Sequence, residues 1–215
     1  MNRLFGRLAA VARIPKTVRP AYDVESLTDV AVAVFTARGY DATRMEHIAR
    51  AANVSKSSLY HHVANKEELL GRALGRAVGA LSAILEEPGA QAGAPGDRLE
   101  YVIRRTIEAE LRHLAEVSLL LRVRGNIDVE RWALDERRRY QERLVALAAE
   151  AHAAGALAGD IDPALYVRLV LGMSNSLVDW YRPDGTWSGR QIADAILDLV
   201  RRKPTVWSAK VARRA

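Results

Sequence analysis

The sequence predicts an all-α protein, on three observations. Apolar residues recur at spacings of three and four along most of the 215 residues, and nothing alternates with period two over a useful length. Helix-start signals recur too: Asp23, Thr43 with Glu46, Ser55, Asn65 with Glu68, Asp97 with Glu100, Asp162-Pro163 and Ser188. Finally, the stretch Thr43 to Lys66, TRMEHIARAANVSKSSLYHHVANK, reads as two short helices joined by a tight turn, with a longer helix directly after it.

Residues 1–21 carry Arg3, Arg7, Arg13, Lys16 and Arg19 with no acid, and Pro15 and Pro20 break any long helix. A solvated tail and an arm that reaches a minor groove both suit this composition. No uninterrupted apolar run follows the arginines, so a signal peptide is not expected. The first helix spans about Val24 to Arg38. Asp23 caps it, Leu27, Val30, Ala31, Val34 and Phe35 form its apolar side, and Gly39 stops it.

In the central stretch Met45, Ile48, Ala49 and Ala52 have helical spacing, and Thr43 with Glu46 predicts a helix beginning just after Thr43. Asn53 suits the turn because its short polar side chain tolerates left-handed backbone. Ser55 caps the next helix, Lys56 to Val63, whose Leu59 and Val63 point inward. Lys56, Ser57, Tyr60 and His61 then point outward. Such a strip of hydrogen-bonding groups on a short helix fits a DNA major groove.

Asn65 and Glu68 open a longer helix with Leu69, Leu70, Ala73, Leu74, Ala77, Val78, Leu81, Ile84 and Leu85 on its inner side. EEPGAQAGAPG, Glu86 to Gly96, is a linker. Asp97 is expected to cap the following helix, with Tyr101, Ile103, Ile107, Leu111 and Leu114 inside. A short apolar helix covers Val117 to Val123. A long one spans about Val129 to Ala154, with Trp132, Tyr140, Leu144 and Leu147 inside. Asp162-Pro163 starts a helix running to about Tyr181, and Ser188 caps the last one, striped by Ile192, Ile196, Leu199 and Val200.

Thr43, Ile48-Ala49, Val54-Ser55, Leu59-Tyr60, His62 and Lys66 with Leu69-Leu70 resemble the helix-turn-helix signature of the TetR family of transcriptional regulators. Asn53 stands where Gly is usual and Val63 where Phe is usual. The resemblance implies an N-terminal three-helix helix-turn-helix domain and a C-terminal helical ligand-binding and dimerisation domain. We place these at 22–66 and 67–203, with the basic arm at 1–21 and a tail at 204–215.

Charge agrees with a nucleic-acid partner. Residues 1–66 hold ten Lys/Arg against five Asp/Glu, whereas residues 67–215 hold 22 against 21, so most of the net +6 lies in the N-terminal segment that includes the basic arm and the two-helix motif. There is no Cys, which excludes disulfides, thiolate metal sites and a Cys nucleophile and suits a cytoplasmic location. No apolar run reaches the ~18 residues of a membrane span. No HExxH or phosphate-cradling Gly loop occurs, and the adjacent His61 and His62 do not share a helix face. No enzyme activity, metal or cofactor is expected.

Residue by residue, Lys56, Ser57 and His61 are assigned to base edges, and Thr43, Arg44, Tyr60, His62 and Lys66 to phosphates, with Ser58 open to either role. For Tyr60 and His62 the rival reading is packing between helices. The resemblance implies a homodimer with two such helices about one DNA turn apart on a palindromic operator. Leu169, Gly172, Ser176, Leu177, Ile192, Ile196 and Leu199 are its interface candidates. NSLVDWYRPDG, Asn175 to Gly185, with Asp160 to Pro163, is similar to TetR members that respond to CoA thioesters. An acyl-CoA effector is therefore implied, with Arg104, Arg122, Trp132, Tyr140 and Met173 as candidate contacts. The alternative is a drug-efflux regulator that takes lipophilic cations, which would need acids buried in the pocket; few acids stand out as buried.

Overall fold

The computed structural model describes residues 23–157 and 161–201. The basic arm, the C-terminal tail and Asp160 lie outside the described residues. Within them the protein is helical throughout, with no strand. The helices are α1 (Val24–Arg38), α2 (Met45–Ala51), α3 (Lys56–His62), α4 (Lys66–Ile84), α5 (Pro88–Gln91), α6 (Pro95–Arg112), α7 (Leu114–Arg122), α8 (Asp128–Ala153), α9 (Pro163–Asn175), α10 (Leu177–Trp180) and α11 (Gly189–Arg201).

α1 runs over the expected residues. Asp23 accepts a hydrogen bond from the Ser26 N–H at 2.8 Å, and Gly39 ends the helix at φ +82°, where a side chain would be strained. Its buried side is Leu27, Thr28, Ala31, Val32 and Phe35, so Val30 and Val34 sit at the edge of the expected stripe. This side rests on α4 and α7, α2 packs against it as well, and α3 packs on α2. α4 begins as expected: Asn65 caps the Glu68 N–H at 2.9 Å, and Glu68 accepts from the Ala64 N–H at 2.8 Å.

α4 also touches α6, α7 and α8. Close approach to α8 uses the bare Cα of Gly71, where a Cβ would lie 3.0 Å from Val129. Midway along α4, Arg76 pairs with Glu25 and Asp29 of α1, at 2.5 Å each, and stands 3.6 Å from Glu116 of α7. α4 and α1 are thereby tied as one body.

The linker after α4 is held down. Arg105 grips Glu87 with two hydrogen bonds of 2.8 Å, and Tyr101 donates a third at 2.6 Å. These donors, Arg105 foremost, hold the Glu87 carboxyl down at about 2. α6 starts at Pro95, not Asp97, because proline at a first helical position loses no hydrogen bond. Its buried side is Leu99, Val102, Ile103, Thr106, Ile107, Ala109 and Glu110, a register rotated from the expected one; Tyr101, Leu111 and Leu114 are only half-buried.

α8 is 26 residues, about 39 Å long. Its start is fixed by Glu130, whose buried carboxylate accepts the N–H groups of Arg124, Gly125 and Asn126 at 3.2, 2.9 and 2.9 Å. α9 and α11 complete the body. The helix expected to reach Tyr181 breaks at Ser176, separating α9 from α10. α11 lies on α6 and α9, and Arg104 of α6 pairs with Asp194 of α11.

Candidate nucleic-acid interface and effector cavity

The turn between α2 and α3 forms because Asn53 accepts φ +56°, the only positive φ at a non-glycine among the described residues. The Val54 N–H closes it onto the Ala49 carbonyl at 3.0 Å, and Ser55 caps α3 by accepting from the Ser58 N–H at 3.0 Å. Leu59 and Val63 anchor α3 from below, fully buried. Ser57, Tyr60, His61 and His62 are left exposed, with no hydrogen-bond partner for their side chains among the described residues. Tyr60 and His62 therefore do not pack between helices. Arg44 is exposed beside them, and Ser58 is half-buried.

Three details differ from expectation. The α2 cap is not Thr43 with Glu46. Arg44 occupies the cap position, where its guanidinium has nothing to accept with, and the Nδ1 of His47 accepts the Arg44 N–H at 3.2 Å. An accepting Nδ1 is unprotonated, in line with a His47 pKa lowered by burial and by Arg38, Arg50 and Arg44. Glu46 is thereby free to reach across to Lys56 and pair with it. The recognition strip thus borrows an acid from the neighbouring helix. The pairing lowers the Glu46 pKa and raises that of Lys56, which also lies 5.9 Å from the centre of the Tyr60 ring.

Second, Thr43 is buried, and its hydroxyl donates to the Gly39 carbonyl at 2.7 Å. Its side chain braces the α1–α2 turn and does not stand free on the surface. Third, Lys66 points into the molecule. Its ammonium donates to the carbonyls of Tyr40, Thr43 and Asp41 at 2.9, 3.0 and 3.4 Å and sits 4.3 Å from the centre of the Tyr40 ring. Through these bonds Lys66 clamps α4 to the α1–α2 turn.

Behind this module a cavity of about 290 Å³ opens between α4, α6, α7, α8 and α9. Leu81, Val117, Leu120, Leu121 and Leu171 supply its apolar wall; Glu110, Arg137, Tyr140, Gln141, Arg168 and Asn175 supply its polar groups. Glu110 is 4% exposed and accepts from the Ser174 hydroxyl at 2.5 Å. Burial pushes its carboxyl up to about 7, against the lowering pull of Ser174 and Arg137. Arg137 is half-buried and donates to the Leu120 carbonyl at 3.4 Å; burial lowers its pKa. Neither Arg137 nor Arg168 has a carboxylate within 4.0 Å among the described residues.

Of the five candidate effector contacts, only Tyr140 lines this cavity, its hydroxyl paired with Thr106 at 2.6 Å. Arg104 is held by Asp194, and Trp132 is 39% exposed beside Gly75 on the outside of α8. Arg122 opens on a separate 140 Å³ cleft beside Tyr40 and Leu70, and Met173 lies off the main cavity wall. Glu110 and Arg168 were missed. Glu110 carried a signal: it continues the register of Ile103 and Ile107, so an acid falls on the buried side of a helix.

The interface candidates divide as well. Leu169 (53% exposed), Gly172, Ser176 and Leu199 (63% exposed) lie open, joined by Leu165 and Trp180. Leu177, on α10 against α7 and α9, and Ile192 and Ile196, on α11 against α6 and α9, are instead buried within the protomer.

A two-helix module with an exposed donor strip, joined through one long helix to a cavity-bearing helical body, defines a helix-turn-helix regulator. The family described as bacterial regulatory proteins, tetR family, matches residues 27–73, and the tetracyclin repressor-like C-terminal domain matches residues 92–203. The chain belongs to the TetR family. It is 29% identical over 177 residues to the HTH-type transcriptional repressor KstR2 of Mycobacterium tuberculosis, covering 81% of this chain and 88% of that one. It resembles the crystal structure of a TetR transcriptional regulator family member from Streptomyces coelicolor A3, at 50% identity and TM-score 0.77 over 84% of this chain and 91% of that one. It also resembles AibR in complex with isovaleryl coenzyme A and operator DNA, at 26% identity and TM-score 0.71 over 82% and 97% of the chains. These relatives are regulators, not enzymes.

Proposed function

We propose that the protein is a homodimeric transcriptional repressor that reads a palindromic operator with α3 and releases it when an acyl-CoA thioester enters the cavity. The observation that carries the reading is the strip of Ser57, Tyr60 and His61, exposed on a helix whose opposite side is fully buried. A two-fold dimer through the open α9–α11 surface would set two such strips about 34 Å apart, or a multiple, along one side of a duplex. The division into a reading unit at 22–66 and an effector unit at 67–203 belongs to this proposal, as does a cytoplasmic location. No helix among the described residues is long and apolar enough to cross a membrane.

The AibR complex supports a CoA-linked effector, and so does the charge of the cavity. Two arginines without an ion pair among the described residues stand with one glutamate, so the lining is net positive and favours an anion. A volume near 290 Å³ suits an acyl group and its thioester, with the charged remainder outside near the exposed Arg168. α4 links the two sites: Lys66 clamps the reading unit, and Leu81, fifteen residues on, lines the cavity about 22 Å away. A ligand that favours a different seat for Leu81 shifts the whole rod, provided it binds the two states unequally.

The efflux-regulator reading gains one observation, since Glu110 is an acid buried in the cavity. Arg137 and Arg168 outweigh it. The test is a gel shift on the DNA flanking the gene, with isovaleryl-CoA, longer acyl-CoAs and lipophilic cations added in turn. Release by a thioester and not by a cation supports the proposal. Binding without sequence preference, and with steep salt dependence only, would refute operator reading.

A further inference from the structure

Glu110 has one oxygen satisfied and one open. Ser174 donates to Oε2, while Oε1 receives no hydrogen bond from any described residue. Every fully enclosed side-chain N or O among the described residues does have a partner, so Oε1 is not sealed in protein; it opens on the cavity that Glu110 lines. A carboxyl buried this deeply with a free oxygen is costly unless something meets it.

Arg137 of α8 lines the same cavity. It attracts Glu110 at a distance but makes no ion pair with it, and its bond to the Leu120 carbonyl is long. From α8, Tyr140 is committed to Thr106 and Gln141 adds an amide; from α9 come Arg168 and Asn175. The walls from α4 and α7 are apolar. An incoming group therefore meets the open carboxyl oxygen of Glu110 in a lining that also carries the Arg137 guanidinium, Gln141, Arg168 and Asn175, against hydrocarbon.

We propose that Glu110 and Arg137 select an effector bearing a hydroxyl on its acyl portion, so that the protein senses hydroxyacyl in preference to plain acyl thioesters. This rests on the reading of the cavity as a thioester site. A hydroxyl donates to Oε1 while accepting from Arg137. Because burial brings Glu110 to about 7, both its forms are populated near neutrality, and a hydroxyl can also accept from the protonated one. A plain acyl chain displaces water from Oε1 and offers nothing back. A cationic group would face Arg137 and Arg168, and a second carboxylate would face Glu110 whenever it is ionised.

The experiment is calorimetric titration of the protein with octanoyl-CoA and its monohydroxylated counterparts, and in parallel with the matching free octanoic acids. In the wild type at least one hydroxy thioester is expected to bind on the order of tenfold more tightly than its parent. Glu110→Leu should erase or invert that ratio, while Glu110→Gln, which can still pair with Ser174 and a hydroxyl, retains part of it. Should Glu110→Leu fail to fold, Arg137→Met is the second probe, and it should also reduce the ratio. Equal affinities in the wild type, or a preference that survives Glu110→Leu, overturns the inference. A hydroxyl preference confined to the free acids overturns the thioester reading and leaves the hydroxyl site standing. Binding in neither series overturns both.

Discussion

Replacing Lys66 with Met separates a clamp from a phosphate contact. Met keeps most of the apolar stem and removes the ammonium, leaving the half-buried carbonyls of Tyr40 and Thr43 without their donor. Two good hydrogen bonds from a charged donor are worth about 1.5 kcal/mol each at the low end. The third, at 3.4 Å, adds little. The contact with the Tyr40 ring contributes about 0.5 kcal/mol. Releasing an immobilised lysine returns about 1.5 kcal/mol of rotamer entropy. The expected net loss is therefore about 2 kcal/mol, read as a lower urea midpoint or a Tm reduced by about 4–8 °C. Operator affinity should fall because the turn carrying α2 loosens, but the slope of log K against log salt should not change. If stability stays within about 0.5 kcal/mol of wild type while that slope drops by about 0.9 per protomer, the clamp is refuted and Lys66 is a phosphate ligand.

Glu46→Gln releases Lys56, so operator binding should tighten at low salt and become more salt-dependent; an unchanged affinity and slope in a filter-binding titration would show that the pairing is broken on DNA anyway. Glu110 has a raised folded pKa, so wild-type stability should fall as pH rises from about 4.5 to about 7, by up to about 3 kcal/mol, and level off above; Glu110→Gln should lack this slope in urea unfolding at each pH. Glu87 has the opposite sign: its folded pKa of about 2 stabilises the protein above the ordinary carboxylate range, and that contribution fades as pH falls toward 2, so Glu87→Gln should flatten the acid limb. Leu169→Arg on the open face of α9 should leave the thermal midpoint of the isolated protomer nearly unchanged and give monomers in sedimentation; a persistent dimer would move the interface elsewhere.

Much of the fold is written in local signals, because capping and backbone preference act within a few residues. Asp23 and Gly39 bound α1, Asn53 makes the turn, and Ser55 starts α3, each by a bond or a dihedral that depends on near neighbours. The exposed strip was legible for the same reason: once Leu59 and Val63 face inward, helical geometry sends Ser57, Tyr60 and His61 outward.

Local chemistry was enough for most of the helices, the turn and the side of α3 that meets solvent, since those follow from backbone dihedrals and from which residues avoid water; the break at Ser176 and the register of α6 were not legible that way. Only tertiary packing decided which charges are free. Lys56 met Glu46 from another helix, and Lys66 met carbonyls 23 to 26 residues away. Of the Arg137-Arg138-Arg139 run, two residues turn to Asp135 and Glu136 and one turns to the cavity. Pairing of this kind depends on distances across the fold, which residue type and spacing along the chain do not carry.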